Sequence, residues 1–91
     1  MAYEAVAARL GVAPRELEES SLRLYLEHKL RVVDSQLLDL QRRYGVQTVA
    51  ELDALVQGGK LHEAETFEDY LEFDRLEAEK EKLVSALAEL G

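Results

Sequence analysis

The chain has 91 residues, of which 47% are hydrophobic and 33% are charged, and it contains no cysteine. These proportions indicate one small folded domain over residues 1–91 and exclude a disordered tail, and the missing cysteines exclude disulfides, thiolate chemistry and cysteine-based zinc sites. No apolar run approaches the length of a membrane span, and residues 1–11 lack the apolar core of a signal peptide, so we predict a cytoplasmic protein that does not enter a membrane.

The net charge of −8 is concentrated towards the C-terminus, because residues 1–57 contribute −2 and residues 58–91 contribute −6. Nucleic acids and anionic lipids both attract positively charged surfaces. We therefore expect neither of them as a partner.

Two helices joined by a tight turn are predicted at the N-terminus. Tyr3, Val6 and Leu10 follow a helical period that ends at Gly11, which predicts a first helix over about 3–10. The segment 7–17 has the pattern of a helix-turn-helix, in which the second helix enters the major groove of DNA. Here that helix would present three glutamates to the phosphates, so a DNA-binding regulator is the third of our hypotheses on function.

The longest predicted element is a helix over residues 14–44. Pro14 suits the first turn of a helix, and Gly45 suits the left-handed position just after its end. Apolar residues recur along it at spacings of three and four, which places them on one stripe. Since this stripe must be covered, it predicts packing on a later helix or on a second copy. Its residues are Leu26, Leu30, Val33, Leu37, Leu40 and Tyr44.

A third, short helix is predicted over residues 49–57. Thr48 is followed three residues later by Glu51, which is the spacing of a capping box. The pair Gly58 and Gly59 is typical of a helix end rather than of a phosphate-binding loop, because the rest of the loop motif is absent.

A fourth helix is predicted over residues 67–90 after a loop at 60–65. Thr66 and Asp69 have the spacing of a helix start. Its contribution to the apolar stripe is Leu76, Leu83, Leu87 and Leu90.

Charged residues at helical spacings predict surface ion pairs within single helices. The predicted pairs are Glu19 with Arg23, Glu27 with Arg31 and Asp39 with Arg43 in the second helix, and Arg75 with Glu79 and Glu77 with Lys80 in the fourth.

These elements predict an all-α fold: a long antiparallel helical hairpin with short N-terminal and connecting helices. A layer of two helices leaves one apolar side poorly covered, so we predict a homodimer in which two hairpins form a four-helix bundle. The residues suggested for this second contact are the wide first half of the fourth helix and the flanking Leu24, Val32 and Leu38.

Motifs for catalysis are missing, and we predict that the protein is not an enzyme and has no catalytic residue, no metal and no cofactor. The sequence has none of the nucleophile, zinc-protease or dinucleotide motifs. Its histidines, His28 and His62, are far apart in the sequence. His62, Glu63 and Glu65 offer metal-ligand types within four residues, a combination that is common by coincidence.

An acidic run interleaved with aromatic residues is the strongest local feature and is our predicted partner-binding segment. Two interpretations remain open: the run contacts a partner, or its acids are a solvated face that favours a helix N-terminus and its aromatics belong to the core. The predicted partner-binding residues are Glu63, Glu65, Phe67, Glu68, Asp69, Tyr70, Glu72, Phe73 and Asp74.

The segments RYGVQTVAELDALVQGGKL (43–61) and ETFEDYLEFDRLE (65–77) resemble a family of small prokaryotic antitoxin-like proteins with a KYG-M-S/T-x-x-E-F … G-x-L … x-x-F-x-E-W pattern. In this pattern Tyr44 and Gly45 form the helix stop, and the segment 67–73 forms an aromatic helix start. Val46 replaces the usual Met, and Phe73-Asp74 stands where the family tends to have Trp. The match covers about half of the chain.

The resemblance implies a protein that neutralises a small basic toxin by occlusion, with its acidic helix covering the basic active surface of a ribonuclease-like or nucleotidyltransferase-like partner. The alternative hypothesis is a self-assembling structural helical dimer with no basic partner.

Overall fold

The computed structural model describes residues 2–91, and these residues form four helices and no strand. The helices are α1 (Ala2–Leu10), α2 (Pro14–Tyr44), α3 (Val49–Gln57) and α4 (Glu63–Leu90). The prediction of an all-α fold is confirmed. Among the described helices, none is both long and apolar enough to cross a membrane.

Local capping residues set the C-terminal end of α2 and the start of α3, as predicted. Gly45 has a left-handed backbone (φ 66°) and its N–H donates to the carbonyl of Gln41, which ends α2. The Thr48 hydroxyl accepts a hydrogen bond from the N–H of Glu51 at 3.2 Å. The Glu51 carboxylate accepts from the N–H of Gln47 at 2.6 Å, one residue before the cap. Both ends of the α2–α3 turn are therefore specified by residues within it.

The start of α4 differs from the prediction, because the helix begins at Glu63 and the predicted loop at 60–65 is too long. Thr66 does not cap the helix, since it lies inside the first turns with a buried side chain. Its hydroxyl donates to the backbone carbonyls of His62, at 2.9 Å, and Glu63, at 3.3 Å. A threonine hydroxyl can bond to a carbonyl three or four residues back, and glutamates favour the first turn of a helix.

The two long helices are antiparallel and form a molecule 61 Å long and about 20 Å in its other dimensions. Arg43, near the end of α2, lies 2.8 Å from Asp69 of α4, whereas Lys80 Nζ lies 2.9 Å from Asp34. Positions therefore rise along α4 as they fall along α2, as expected for a hairpin.

Of the predicted pairs within single helices, that of Arg75 with Glu79 forms in α4 at 2.8 Å, and the others do not form among the described residues. Arg43 binds Asp69 instead of Asp39, and Lys80 binds Asp34 instead of Glu77. The Glu77 carboxylate accepts a hydrogen bond from the N–H of Val49 at 2.9 Å, at the first residue of α3. These charges connect different helices, and their partners are 26 to 46 residues away in the sequence.

The hydrophobic core lies where α3 packs against the hairpin. Leu52 of α3 and Phe73 and Leu76 of α4 have no exposed area. Partly buried residues that pack against the core include Leu26, Leu30 and Tyr44, and Leu87 and Leu90 are also only partly buried. The buried hydrophobic cluster is Val33, Leu37, Leu40, Val46, Leu52, Phe73, Leu76 and Leu83.

The opposite end of the hairpin is less well covered. Here α1 packs against α2 and buries Ala7, but Leu10 remains 64% exposed and Leu24 65% exposed. Leu22, on the same stripe of α2 as the core residues, is 46% exposed. The apolar stripe thus continues beyond the part of the molecule that α3 closes.

Candidate binding surface on α3 and α4

The predicted acidic run forms the first three turns of α4, and its aromatic residues have different environments. Phe67 is 53% exposed and neighbouring Leu71 is 51% exposed, whereas Tyr70 is half-buried. Phe73 is fully buried in the core, so its predicted role in partner binding is wrong for the folded protein. An aromatic pattern cannot show which rings face inwards until the neighbouring helices are placed.

Asp69 is engaged in contacts with α2. Its carboxylate accepts hydrogen bonds from the Tyr44 hydroxyl and from Arg43. These bonds hold the pKa of Asp69 below its usual value, with Tyr44 as the larger cause, although partial burial opposes the effect. Burial, followed by the bond to Asp69, raises the pKa of Tyr44, and the same carboxylate raises the pKa of Arg43. Asp69 therefore joins the two long helices.

Glu72 is engaged with Arg75 within α4. Both carboxylate oxygens accept from the guanidinium, one of them from Nε at 3.1 Å, and these bonds lower the pKa of Glu72. Arg75 also binds Glu79 at 2.8 Å, and its pKa is raised chiefly by the hydrogen bond to Glu72. The charge of Glu72 is thus largely compensated within the helix.

The other four carboxylates of the run are exposed, and none of them forms an ion pair within residues 2–91. Glu63, Phe67, Leu71 and Asp74 follow one another at spacings of four, four and three, which places them on one stripe of the helix. Glu65 and Glu68 belong to a second stripe. We define the α4 face as the exposed residues Glu63, Glu65, Phe67, Glu68, Leu71 and Asp74.

A cavity of about 160 Å³ opens between α3 and the start of α4. Asp53 and Val56 are three residues apart on α3 and form one wall. Sequence analysis missed Asp53 as a site residue, because only the packing of α3 against α4 brings it to the acidic run. The residues that line the cavity are Asp53, Val56, Glu63, Thr66, Phe67 and Tyr70.

Metal-ligand types do not converge in the structure. In the part of the chain that the structure describes, no group of three or more histidine and acidic side chains is placed to hold a metal ion. His62 is the residue that precedes α4, and both His62 and His28 are exposed.

The helical hairpin and its α4 face define the chain as a small, elongated all-α protein with an acidic and partly apolar surface. The chain belongs to the family described as "Uncharacterized protein MJ0235 family", which matches residues 1–91. No match was found among curated proteins or among solved structures.

Proposed function

We propose that this protein is a non-enzymatic binding module whose α4 face covers a cationic and partly apolar surface of a small basic protein. The observation that carries the proposal is the set of four exposed carboxylates that form no ion pair within residues 2–91, beside the exposed side chains of Phe67 and Leu71. Aromatic and aliphatic anchors supply most of the affinity in protein interfaces, and complementary charge supplies specificity and a fast association rate.

The charge distribution supports this choice of partner. Residues 32–91 carry six basic and fourteen acidic residues, whereas residues 1–31 carry five of each. The whole net charge of −8 therefore lies on the part of the chain that includes α3 and α4. A field of this sign attracts cationic proteins and repels nucleic acids.

The narrower form of the proposal is neutralisation of a toxin protein. It rests on the resemblance of residues 43–61 and 65–77 to antitoxin-like proteins. In this form, the α4 face covers the basic active surface of the toxin and so blocks access of its substrate.

Capture of the partner from a lysate of the source organism tests the proposal. We expect the tagged wild-type chain to retain one small basic protein at low salt and to lose most of it at 1 M salt, because screening weakens charge pairing (about 3 Å Debye length at this salt). The triple variant Glu63→Lys, Glu68→Lys and Asp74→Lys should reduce recovery at least tenfold.

A matched control replaces three acidic residues by lysine outside the α4 face. Glu18→Lys, Asp39→Lys and Glu89→Lys alter exposed carboxylates that form no ion pair within residues 2–91, and this variant should retain the partner. Equal recovery by wild type and the α4-face variant, or equal loss by both variants, would contradict binding through this face. Circular dichroism confirms that each variant is helical.

A structural homodimer is the second candidate function, and the exposed apolar residues at the α1 end favour it. Leu10 and Leu24 are the most exposed large apolar residues of the described chain. Residues 1–31 are also neutral, so two copies would meet there without net repulsion. In its finer form, this candidate is a four-helix bundle of two hairpins. The other residues suggested for the contact, Val32 and Leu38, are likewise exposed.

A further inference from the structure

We infer that the cavity between α3 and α4 accepts one arginine side chain of the partner. This inference rests on the proposed function, because it names the group that the acidic surface recognises. It adds a defined site, formed by both helices, to the broader attraction of the α4 face for basic proteins.

The size of the cavity suits a single side chain. Its volume is about 160 Å³. An engineered cavity of about 150 Å³ holds one benzene molecule, whereas sites for cofactors and drug-sized ligands measure roughly 300–1,000 Å³. The cavity is therefore too small for a cofactor and large enough for the stem and head of one long side chain.

The walls of the cavity combine apolar surface with acidic groups. Phe67, Tyr70 and Val56 provide apolar area, and Asp53 and Glu63 provide carboxylates. An arginine packs its aliphatic stem on apolar surface, stacks its planar guanidinium on aromatic rings and donates several hydrogen bonds to carboxylates. Lysine lacks the planar head and should bind more weakly.

The hydrogen-bonding groups of the cavity favour a donor ligand. The Thr66 hydroxyl already donates to the carbonyl of His62, so its oxygen remains only as an acceptor. Asp53 and Glu63 contribute carboxylate oxygens, which accept hydrogen bonds. The Tyr70 hydroxyl is the one lining side-chain group that can still donate, so the cavity disfavours an anion.

The two carboxylates of the cavity are free to bind a ligand. Unlike Asp69 and Glu72, which bind Tyr44, Arg43 and Arg75, neither Asp53 nor Glu63 has an ion-pair partner within residues 2–91. Their charges have no role in joining the described helices.

Nuclear magnetic resonance titration of the isotopically labelled full chain tests the inference. The probe is N-acetyl-arginine N-methylamide, with the lysine and methionine derivatives for comparison. We expect shift changes centred on the residues that line the cavity, in the affinity order arginine, lysine, methionine. The double variant Asp53→Asn and Glu63→Gln should weaken arginine binding at least fivefold, while Glu18→Gln and Asp39→Asn, at exposed positions outside the α4 face, should change it less than twofold.

Shift changes spread evenly along all acidic surfaces, or equal weakening by the two double variants, would overturn the inference. Unfolding curves of both variants establish that the fold is retained, because all four altered side chains lie outside the core. The arginine site can fail separately from the proposed function: if the lysine variants of the α4 face abolish partner capture while the arginine probe leaves the cavity unperturbed, the binding module stands and the arginine site is wrong.

Discussion

Asp69 shows how one side chain of the acidic run serves the fold, because it accepts hydrogen bonds from Tyr44 and Arg43 of α2. We predict that Asp69→Asn lowers the free energy of unfolding by about 1 kcal/mol at neutral pH, since this charge-assisted contact is partly exposed to water. The pKa of Asp69 is lower in the folded state, so its contribution exists above the unfolded pKa of about 4 and disappears as the pH falls through the folded value. Urea unfolding at a series of pH values measures both effects.

Asp74→Asn is the control for this prediction, because Asp74 is an exposed aspartate of the same helix with no ion pair among the described residues. It should leave both the stability and its pH dependence close to wild type. A constant difference between Asp69→Asn and wild type from pH 7 to pH 2 would rule out the ionised contact as the cause.

The end of α2 depends on the backbone conformation of Gly45. A Cβ atom at this position would have no atom within 4 Å outside its immediate neighbours, so a substitution there causes no clash. The left-handed φ of 66° is nevertheless unfavourable for residues with a side chain. We predict that Gly45→Ala lowers the free energy of unfolding by about 1–2 kcal/mol, as measured by thermal or urea unfolding.

Gly45→Asn separates conformational strain from other causes. Asparagine adopts the left-handed conformation more readily than alanine, so this variant should be the more stable of the two. Equal stability of the alanine variant and wild type would show that the α2 stop does not need the left-handed residue.

The whole molecule is a hairpin closed by α3 at one end and left partly uncovered at the other. If the second candidate function is correct, wild type sediments at twice its chain mass of 10.3 kDa. Leu10→Glu with Leu24→Glu should then give a monomer with the helical content of wild type, because both side chains are largely exposed. Sedimentation equilibrium measures the mass.

The control replaces two exposed apolar residues by glutamate at the end of the molecule that α3 closes. Phe67→Glu and Leu71→Glu alter the α4 face and should leave the dimer intact while abolishing capture of a basic partner. A monomeric wild type, or a dimer that only the second pair dissociates, would exclude self-association through the α1 end.

Local chemistry explains why the bounds of α2 and α3 were predictable. Pro14, Gly45 and Thr48 act on backbone groups within about four residues, so their effect can be recognised without any neighbouring helix. The apolar stripe of α2 was predictable for a related reason, since its period depends only on helix geometry.

Contacts between helices determine the start of α4 and the exposure and partners of its side chains, which local sequence patterns did not predict. The start of α4 was misplaced because the spacing of Thr66 and Asp69 suits a helix cap as well as a helix interior, and only packing buries Thr66. The same packing placed Phe73 in the core, paired Asp69 with α2 and left Phe67 exposed. Asp53 lies beside the acidic run only because α3 packs against α4. Residue type and helical period are local properties, whereas a side chain's partner and exposure depend on residues far away in the sequence.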